Sequence, residues 1–133
     1  MTPSVDFVSA TPNLLVSDMA ASLAFYRDVL GFQLKESVPD APPFVFAWLK
    51  RGGVELFLND AKPVVSEHTS LRAGNTSTLF VIVNDVDTFH AELSGRARIV
   101  MGLTDQFYGM REFAILDPDG YLITFAQRKE AQG

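Results

Sequence analysis

The chain matches itself at a single offset of 67 positions within its 133 residues. At this offset identical residues recur with no gap needed between Thr11 and Phe57, among them Val16 and Val83, Asp18 and Asp85, Ala24 and Ala91, Phe46 and Phe113, Ala47 and Ala114, Leu49 and Leu116, and Gly53 and Gly120. Self-similarity at a fixed offset marks a repeated structural unit. The sequence therefore predicts two copies of one small module, paired edge to edge around a cleft that equivalent positions line.

The first half follows the order strand, helix and then strands. Residues 12–17 form a short apolar run that predicts a strand, and Asp18 directly after it is a residue type that caps helix N-termini. Across residues 19–30 the apolar side chains recur near helical spacing, and Gly31 ends the pattern. The pattern predicts a strand that leads into a capped helix.

The second half repeats this order. Residues 78–83 are rich in strand-forming types, Asp85 is placed to cap a helix, and Gly95 ends the helical pattern. Extended segments follow both predicted helices, in two hairpins: residues 44–49 with 54–58, and residues 112–116 with 121–126. Gly53 and Gly120 close the two hairpin turns, and we expect both to adopt a positive φ.

Composition excludes several classes of function. The 16 acidic and 11 basic residues give a net charge of -5, which repels a phosphate backbone, so no nucleic-acid partner is expected. The absence of cysteine excludes disulfides and thiolate nucleophiles. No apolar run reaches the roughly 18 residues of a membrane span, and the N-terminal residues lack the basic start of a secretory signal. These features predict a cytoplasmic protein with no membrane partner.

Two segments carry a resemblance to a known family. The runs TPNLLVSDMAASLAFYRDVLGF (11–32) and GMREFAILDPDGYLITF (109–125) resemble the two halves of the vicinal oxygen chelate superfamily, which includes glyoxalase I, extradiol dioxygenases and bleomycin resistance proteins. The resemblance implies an α+β fold. It consists of two tandem βαβββ modules that form a curved mixed sheet around a cleft, with the helices on the convex side. It also implies a single domain over residues 1–133, with repeats at about 8–66 and 75–129, and a homodimer whose halves are sometimes exchanged between chains.

The metal-dependent members of that family carry a histidine at the start of the first strand of each half and a glutamate on the last strand. The matching positions here are Thr11, Thr78, Phe57 and Thr124. Because these side chains cannot supply three or four imidazole or carboxylate ligands, the sequence predicts no metal and no cofactor. Glu55 leaves one alternative open, as a displaced ligand or a general base. His68 and His90 lie away from the motif positions, and neither is expected to be a ligand or a base.

Aromatic side chains line one face of the predicted cleft. Strict alternation along residues 44–49 places Phe44, Phe46 and Trp48 on the opposite face from the smaller Val45, Ala47 and Leu49, which suit packing beneath a helix. The complete set of predicted ligand-binding residues is Phe44, Phe46, Trp48, Glu55, Phe57, Asn59, Phe80, Tyr108, Met110 and Arg111. Asp60 and Asp105 are expected to add negative charge at its rim.

Core packing is the alternative role for Phe46 and Phe80. For Arg111 the alternative is an ion pair with Glu112 or with the turn at Asp117.

The pattern favours a protein that is not an enzyme. Among the branches of the family, aromatic walls without metal ligands are most similar to bleomycin resistance proteins, which bind a flat cationic antibiotic in grooves at a dimer interface. The resemblance thus implies a small-molecule ligand, hydrophobic or cationic and aromatic, and a role in antibiotic resistance by sequestration. Two alternatives stay open: a metal-dependent enzyme of the glyoxalase or dioxygenase type with a displaced site, and a scaffolding protein whose cleft is vestigial.

Overall fold

A computed structural model describes residues 5, 6, 8–62 and 78–129. The first module contains strands β1 to β4 and helix α1, which continues into a π-helical turn: β1 Asn13–Val16, α1 Met19–Ala24 with the turn Phe25–Val29, β2 Gln33–Val38, β3 Phe46–Arg51 and β4 Val54–Asp60. The second module repeats the order with four strands and one helix: β5 Thr78–Ile82, α2 Val86–Leu93, β6 Arg98–Asp105, β7 Met110–Leu116 and β8 Leu122–Arg128.

Each module forms its own four-stranded mixed sheet. The strand orders are β1-β4-β3-β2 and β5-β8-β7-β6, with β1–β4 and β5–β8 parallel and the other pairs antiparallel. The prediction of an α+β protein with two tandem βαβββ modules is confirmed. Among the described strands, hydrogen-bonded pairing stops at the module boundary, so each sheet ends in a free edge at β1 or β5.

The predicted helix caps are present in both modules. The Asp18 carboxylate accepts from the Ala21 N–H at 3.1 Å, and the Asp85 carboxylate accepts from the Thr88 N–H at 3.1 Å. The turn glycines follow the repeat less closely. Gly120 has the predicted positive φ of 87°, but in the first hairpin the positive φ of 56° belongs to Gly52 and not to Gly53.

One apolar core joins the two modules, and the helices pack on its side of the sheets. Ala47 and Leu49 on β3 are fully buried there with Tyr26, while Phe113 and Ile115 on β7 contribute from the second module. The burial of Ala47 and Leu49 decides on which face of the sheet each β3 side chain lies, because successive side chains alternate between the two faces. Phe46 and Trp48 therefore lie on the opposite surface of the first sheet.

A buried polar contact joins helix α1 to the β7–β8 turn. The Tyr26 hydroxyl donates to the Asp117 carboxylate at 2.8 Å, and the backbone N–H groups of Asp119 and Tyr121 donate to the same residue at 2.9 Å each. Burial raises the pKa of Asp117 above the usual value for a carboxyl, while these three donors act in the opposite direction. Burial together with the nearby Asp117 raises the pKa of Tyr26, so its hydroxyl stays protonated as a donor.

Replacing Tyr26 by phenylalanine is expected to lower the free energy of unfolding by about 1–3 kcal/mol, because it removes one donor from a buried carboxylate. The loss should be largest at neutral pH, where Asp117 is ionised. It should shrink as the pH falls through the raised pKa of Asp117, because the protonated carboxyl needs the donor less. Urea unfolding at neutral and acidic pH measures both effects. A loss that is the same at both pH values would contradict this assignment.

Candidate functional site

The surface of the first sheet that faces away from the helices carries an aromatic cluster, which we call the aromatic face: Phe46, Trp48 and Phe57. Trp48 on β3 lies directly across from Phe57 on β4, and the rings of Phe46 and Phe57 are 5.2 Å apart between centroids. All three side chains are half-buried. Their alternation with the buried Ala47 and Leu49 is the one predicted from the sequence. Their role in ligand binding stays a prediction.

A carboxylate fixes the tryptophan of this face. The Trp48 indole N–H donates to Glu55 Oε1 at 3.1 Å, and Glu55 faces Lys50 across the β3–β4 pair. The bond satisfies the polar atom of the indole and holds its ring plane, and no described residue donates to the second oxygen of Glu55. Asn59 lies on the same surface, and its amide donates to the Asn13 side chain.

The second sheet presents a corresponding surface, which we call the second face: Phe80, Ile82, Tyr108 and Glu112. Phe80 and Ile82 on β5 are 54% and 61% exposed, and Tyr108 is 48% exposed. Glu112 on β7 is only 3% exposed, and it accepts a short hydrogen bond from the Tyr108 hydroxyl. That bond to the carboxylate raises the pKa of Tyr108. Each sheet thus pairs an aromatic ring with a carboxylate on its helix-free surface.

Met110 lies on the same side of β7 as Glu112, as alternation requires, and it is buried. Sequence reasoning missed Glu112 as a member of this surface and treated it only as a partner for Arg111. The signal was present in the alternation along β7. Phe113 and Ile115 pack beneath the helices, so Glu112 has to point the other way.

Three predicted residues lie elsewhere. Phe44 precedes the start of β3 and packs against the core beside Leu23 of α1, so its assignment to the aromatic face is wrong. Arg111 points to the helix side of β7, where its guanidinium contacts Asp87 at 2.8 Å and Asp105 at 3.1 Å. The expectation of an ion pair was right, but both expected partners were wrong. Asp105 also contacts Lys129 at 3.3 Å, so it does not supply unpaired charge to a rim.

The positions that bear metal ligands in metal-dependent relatives do not fit a metal here. Phe57 is part of the aromatic face, and Thr124 lies across from Phe80 and Ala114. No cluster of three histidine, cysteine, aspartate or glutamate side chains suited to a metal ion occurs among the described residues. His90 packs edge-to-face on Phe113 at 5.1 Å, and His68 lies outside the described residues. Divalent metals need imidazole or carboxylate ligands that converge, which these positions do not supply.

No helix within residues 8–62 or 78–129 is both long enough and apolar enough to cross a membrane.

Comparisons with known proteins agree with this architecture. The family model described as Glyoxalase/Bleomycin resistance protein/Dioxygenase superfamily matches residues 6–125. A bleomycin resistance protein from Staphylococcus aureus is 30% identical over 134 residues, which cover 91% of this chain and 97% of that protein. An uncharacterised protein from Mycobacterium tuberculosis is 32% identical over 117 residues, covering 84% of this chain and 69% of the relative. The crystal structure of TnmS3, an antibiotic binding protein from Streptomyces sp. CB03234, is similar with a TM-score of 0.73 at 25% identity, over 92% of this chain and 98% of that one.

Proposed function

The chain belongs to the glyoxalase/bleomycin resistance protein/dioxygenase superfamily, and from this premise we propose that it binds and sequesters a planar, cationic, aromatic antibiotic without transforming it. The observation that carries the proposal is the contact between Trp48 and Glu55 beside Phe57. It places a fixed aromatic surface next to a carboxylate. Planar rings stack on such a surface, and a cation gains from both the ring faces and the carboxylate.

The similar proteins support the same class of ligand. A relative at 30% identity is a bleomycin resistance protein, and a structural neighbour at 25% identity is an antibiotic binding protein. The net charge of -5 favours the approach of a cationic compound over an anionic one. The second face repeats the pairing of an aromatic ring with a carboxylate, through Tyr108 and Glu112.

Calorimetric titration with bleomycin tests the proposal, followed by mass spectrometry of the recovered compound. We expect saturable binding at about one molecule per chain, with the compound recovered at unchanged mass. Recovery of a hydrolysed, oxidised or conjugated product would instead indicate an enzyme and would contradict sequestration.

The same proposal predicts that the protein retains no stoichiometric metal. After incubation with zinc, nickel, manganese or iron and then desalting, elemental analysis should find far less than one metal ion per chain. The physical reason is that Thr11, Thr78, Phe57 and Thr124 cannot provide the required ligands, and Glu55 alone would bind a divalent ion only weakly. Retention of one equivalent would favour the enzymatic alternative with a displaced site.

We further propose that the protein functions as a homodimer in which the second face of one copy lies against the aromatic face of the other. Phe80 and Ile82 expose large apolar surface on one sheet, and proteins usually cover such contiguous patches with a partner. A ligand would then be held between rings from both copies.

Light scattering on a sizing column should therefore give twice the mass of one chain at tens of micromolar. Phe80→Glu is expected to shift the protein to a monomer, because it places a charge in the proposed interface. Val8→Glu is the matched control: Val8 is 93% exposed and lies outside both sheets, so this variant should stay dimeric. A monomeric wild-type protein would contradict the shared groove.

A further inference from the structure

Because the chain is a repeat, the hairpin turn of each module lies near the first strand of the other module, and the two places can be compared residue by residue. The first contact joins the β7–β8 turn to β1, and the second joins the β3–β4 turn to β5. At the first contact, the Tyr121 hydroxyl accepts from the Leu15 N–H at 3.1 Å and donates to the Leu15 carbonyl at 2.8 Å. Two residues further on, directly after the end of β1, the Asp119 carboxylate accepts from the Ser17 backbone N–H at 3.2 Å and from the Ser17 hydroxyl at 2.5 Å. A phenol and a carboxylate thus satisfy the free edge at the end of β1.

At the second contact the same positions hold no such groups. The offset of 67 places Val54 where Tyr121 stands and Gly52 where Asp119 stands. A cavity of about 340 Å³ lies here between the β3–β4 turn and the end of β5. A side-chain carbon added at Gly52 would meet nothing within 4 Å, so the space beside the turn is open.

The edge of β5 at this cavity offers the same backbone groups as the edge of β1. The Val83 N–H donates to the Ala126 carbonyl of β8 at 2.8 Å. Because alternate residues of a parallel strand bond to opposite sides, the N–H and C=O of Ile82 point away from β8. Ile82 and Asn84 both line the cavity, and no described residue hydrogen bonds to the backbone of either. Backbone groups of this kind require a partner, which is another protein group, water or a ligand.

The cavity also has a positively charged side chain, Arg51, in its wall. Arg51 occupies the position equivalent to Pro118, and its Nη1 donates to the Leu30 carbonyl at 2.6 Å. The guanidinium lies 5.2 Å from the centre of the Phe89 ring, which helps to hold it at the cavity wall. No described residue accepts from its other N–H groups, which an anion could use. The wall has an apolar part, which contains Leu30, Phe32, Val81, Phe89 and Phe125, and a polar part, which contains Asn84, Thr88 and the acidic Asp85 and Glu92.

From this internal template we propose that the cavity binds a small aromatic compound that carries a phenol and a carboxylate para to each other. The phenol oxygen takes the place of the Tyr121 hydroxyl at the Ile82 backbone. The carboxylate takes the place of Asp119 at the Asn84 N–H and contacts Arg51. Two residues of a strand span roughly 6.6 Å, which matches the length of a para-substituted ring. The cavity volume lies at the lower end of the range for ligand pockets.

Two acidic side chains, Asp85 and Glu92, line the cavity, and only Asp85 has an acidic equivalent beside the first contact. At the first contact, the Asp119 carboxylate lies beside Ser17, directly before the equivalent helix-capping residue Asp18. In both modules the capping carboxylate is engaged by backbone N–H groups of its own helix. The first contact therefore shows that a carboxylate can lie directly beside the helix-capping aspartate of this fold.

The test is an NMR titration of amide signals with 4-hydroxybenzoate up to about 20 mM, since a ligand of this size binds with a roughly millimolar Kd. We expect saturable shifts that are largest at the Ile82 and Asn84 N–H groups. Benzoate lacks the phenol, and 3-hydroxybenzoate has the wrong spacing, so both should bind at least several-fold more weakly. Arg51→Gln should weaken binding about tenfold, because it removes a charge-assisted hydrogen bond. Arg98→Gln on the edge strand β6 is the matched control and should leave the affinity unchanged.

Val54→Tyr gives an independent measurement, because it supplies the phenol from the chain itself. This variant should abolish the titration and raise the thermal stability. Shifts confined to residues outside the cavity, equal affinity for benzoate, or unchanged binding in Val54→Tyr would each overturn the proposal. None of these signals involves Trp48, so failure here is distinguishable from failure of antibiotic binding on the aromatic face.

Discussion

Trp48→Ala is expected to weaken the binding of bleomycin or a similar planar cation about thirtyfold or more. Trp48 is the only tryptophan, and its indole is held by Glu55 at 3.1 Å beside Phe57. Truncation of a central aromatic anchor costs about 2 kcal/mol or more, which corresponds to this loss in affinity. Because Trp48 is only half-buried, on the surface away from the helices, we expect the variant to remain folded.

Trp48→Phe is the matched control. It keeps an aromatic ring on this face but loses the bond to Glu55, so its affinity should lie between those of the wild-type protein and Trp48→Ala. Calorimetry gives the affinities of the wild-type protein and both variants, and circular dichroism monitors their folding. Equal affinities for all three proteins would contradict a stacking role. Unfolding of Trp48→Ala alone would instead indicate that Trp48 is a core residue.

Glu112→Gln is expected to weaken the binding of the same cation about tenfold and to leave a neutral aromatic analogue unaffected. Glu112 is 3% exposed, and Tyr108 is the one described residue whose side chain donates to it. A charge-assisted contact with a buried carboxylate is worth roughly 1.5–3 kcal/mol. Glutamine keeps the shape and still accepts from Tyr108, so the variant changes little except the charge.

Salt dependence separates this carboxylate from an exposed one. Glu55→Gln should cost less, and mainly at low salt, because Glu55 is only half-buried and exposed charges are screened within about 10 Å at 0.1 M. The effect of Glu112→Gln should persist at high salt. Equal losses for the cation and the neutral analogue would contradict recognition of charge by Glu112.

The repeat made most of the fold predictable from the sequence. Asp18 and Asp85 were predictable as helix caps, because a short acceptor side chain directly before a helical pattern can accept from a free backbone N–H of the first turn. The alternation from Phe46 to Leu49 was also readable, because the period of a strand decides which face each side chain takes. Both features depend only on neighbouring residues, and the same pattern in one half of the chain supports the prediction made for the other half.

The wrong predictions concern residues whose contacts are not determined by the local sequence pattern. Phe44 was assigned by extending the alternation beyond β3, but the strand begins at Phe46, after Pro42 and Pro43, and the ring turns to α1. Arg111 pairs with Asp87, which is 24 positions away on α2, and such a distant contact depends on how the helix packs against the sheet. Glu112 was missed because an acidic neighbour suggested an ion pair more readily than a place on the opposite face.

The central claim is that Trp48 lies in a site for a planar aromatic cation, and titration of its fluorescence with bleomycin tests this most directly. Since Trp48 is the only tryptophan, its emission reports one place in the molecule. We predict a saturable quench or shift that reaches its plateau at about one bleomycin per chain. Emission that stays unchanged up to about a millimolar, the concentration at which binding contributes only about 4 kcal/mol, would contradict the claim.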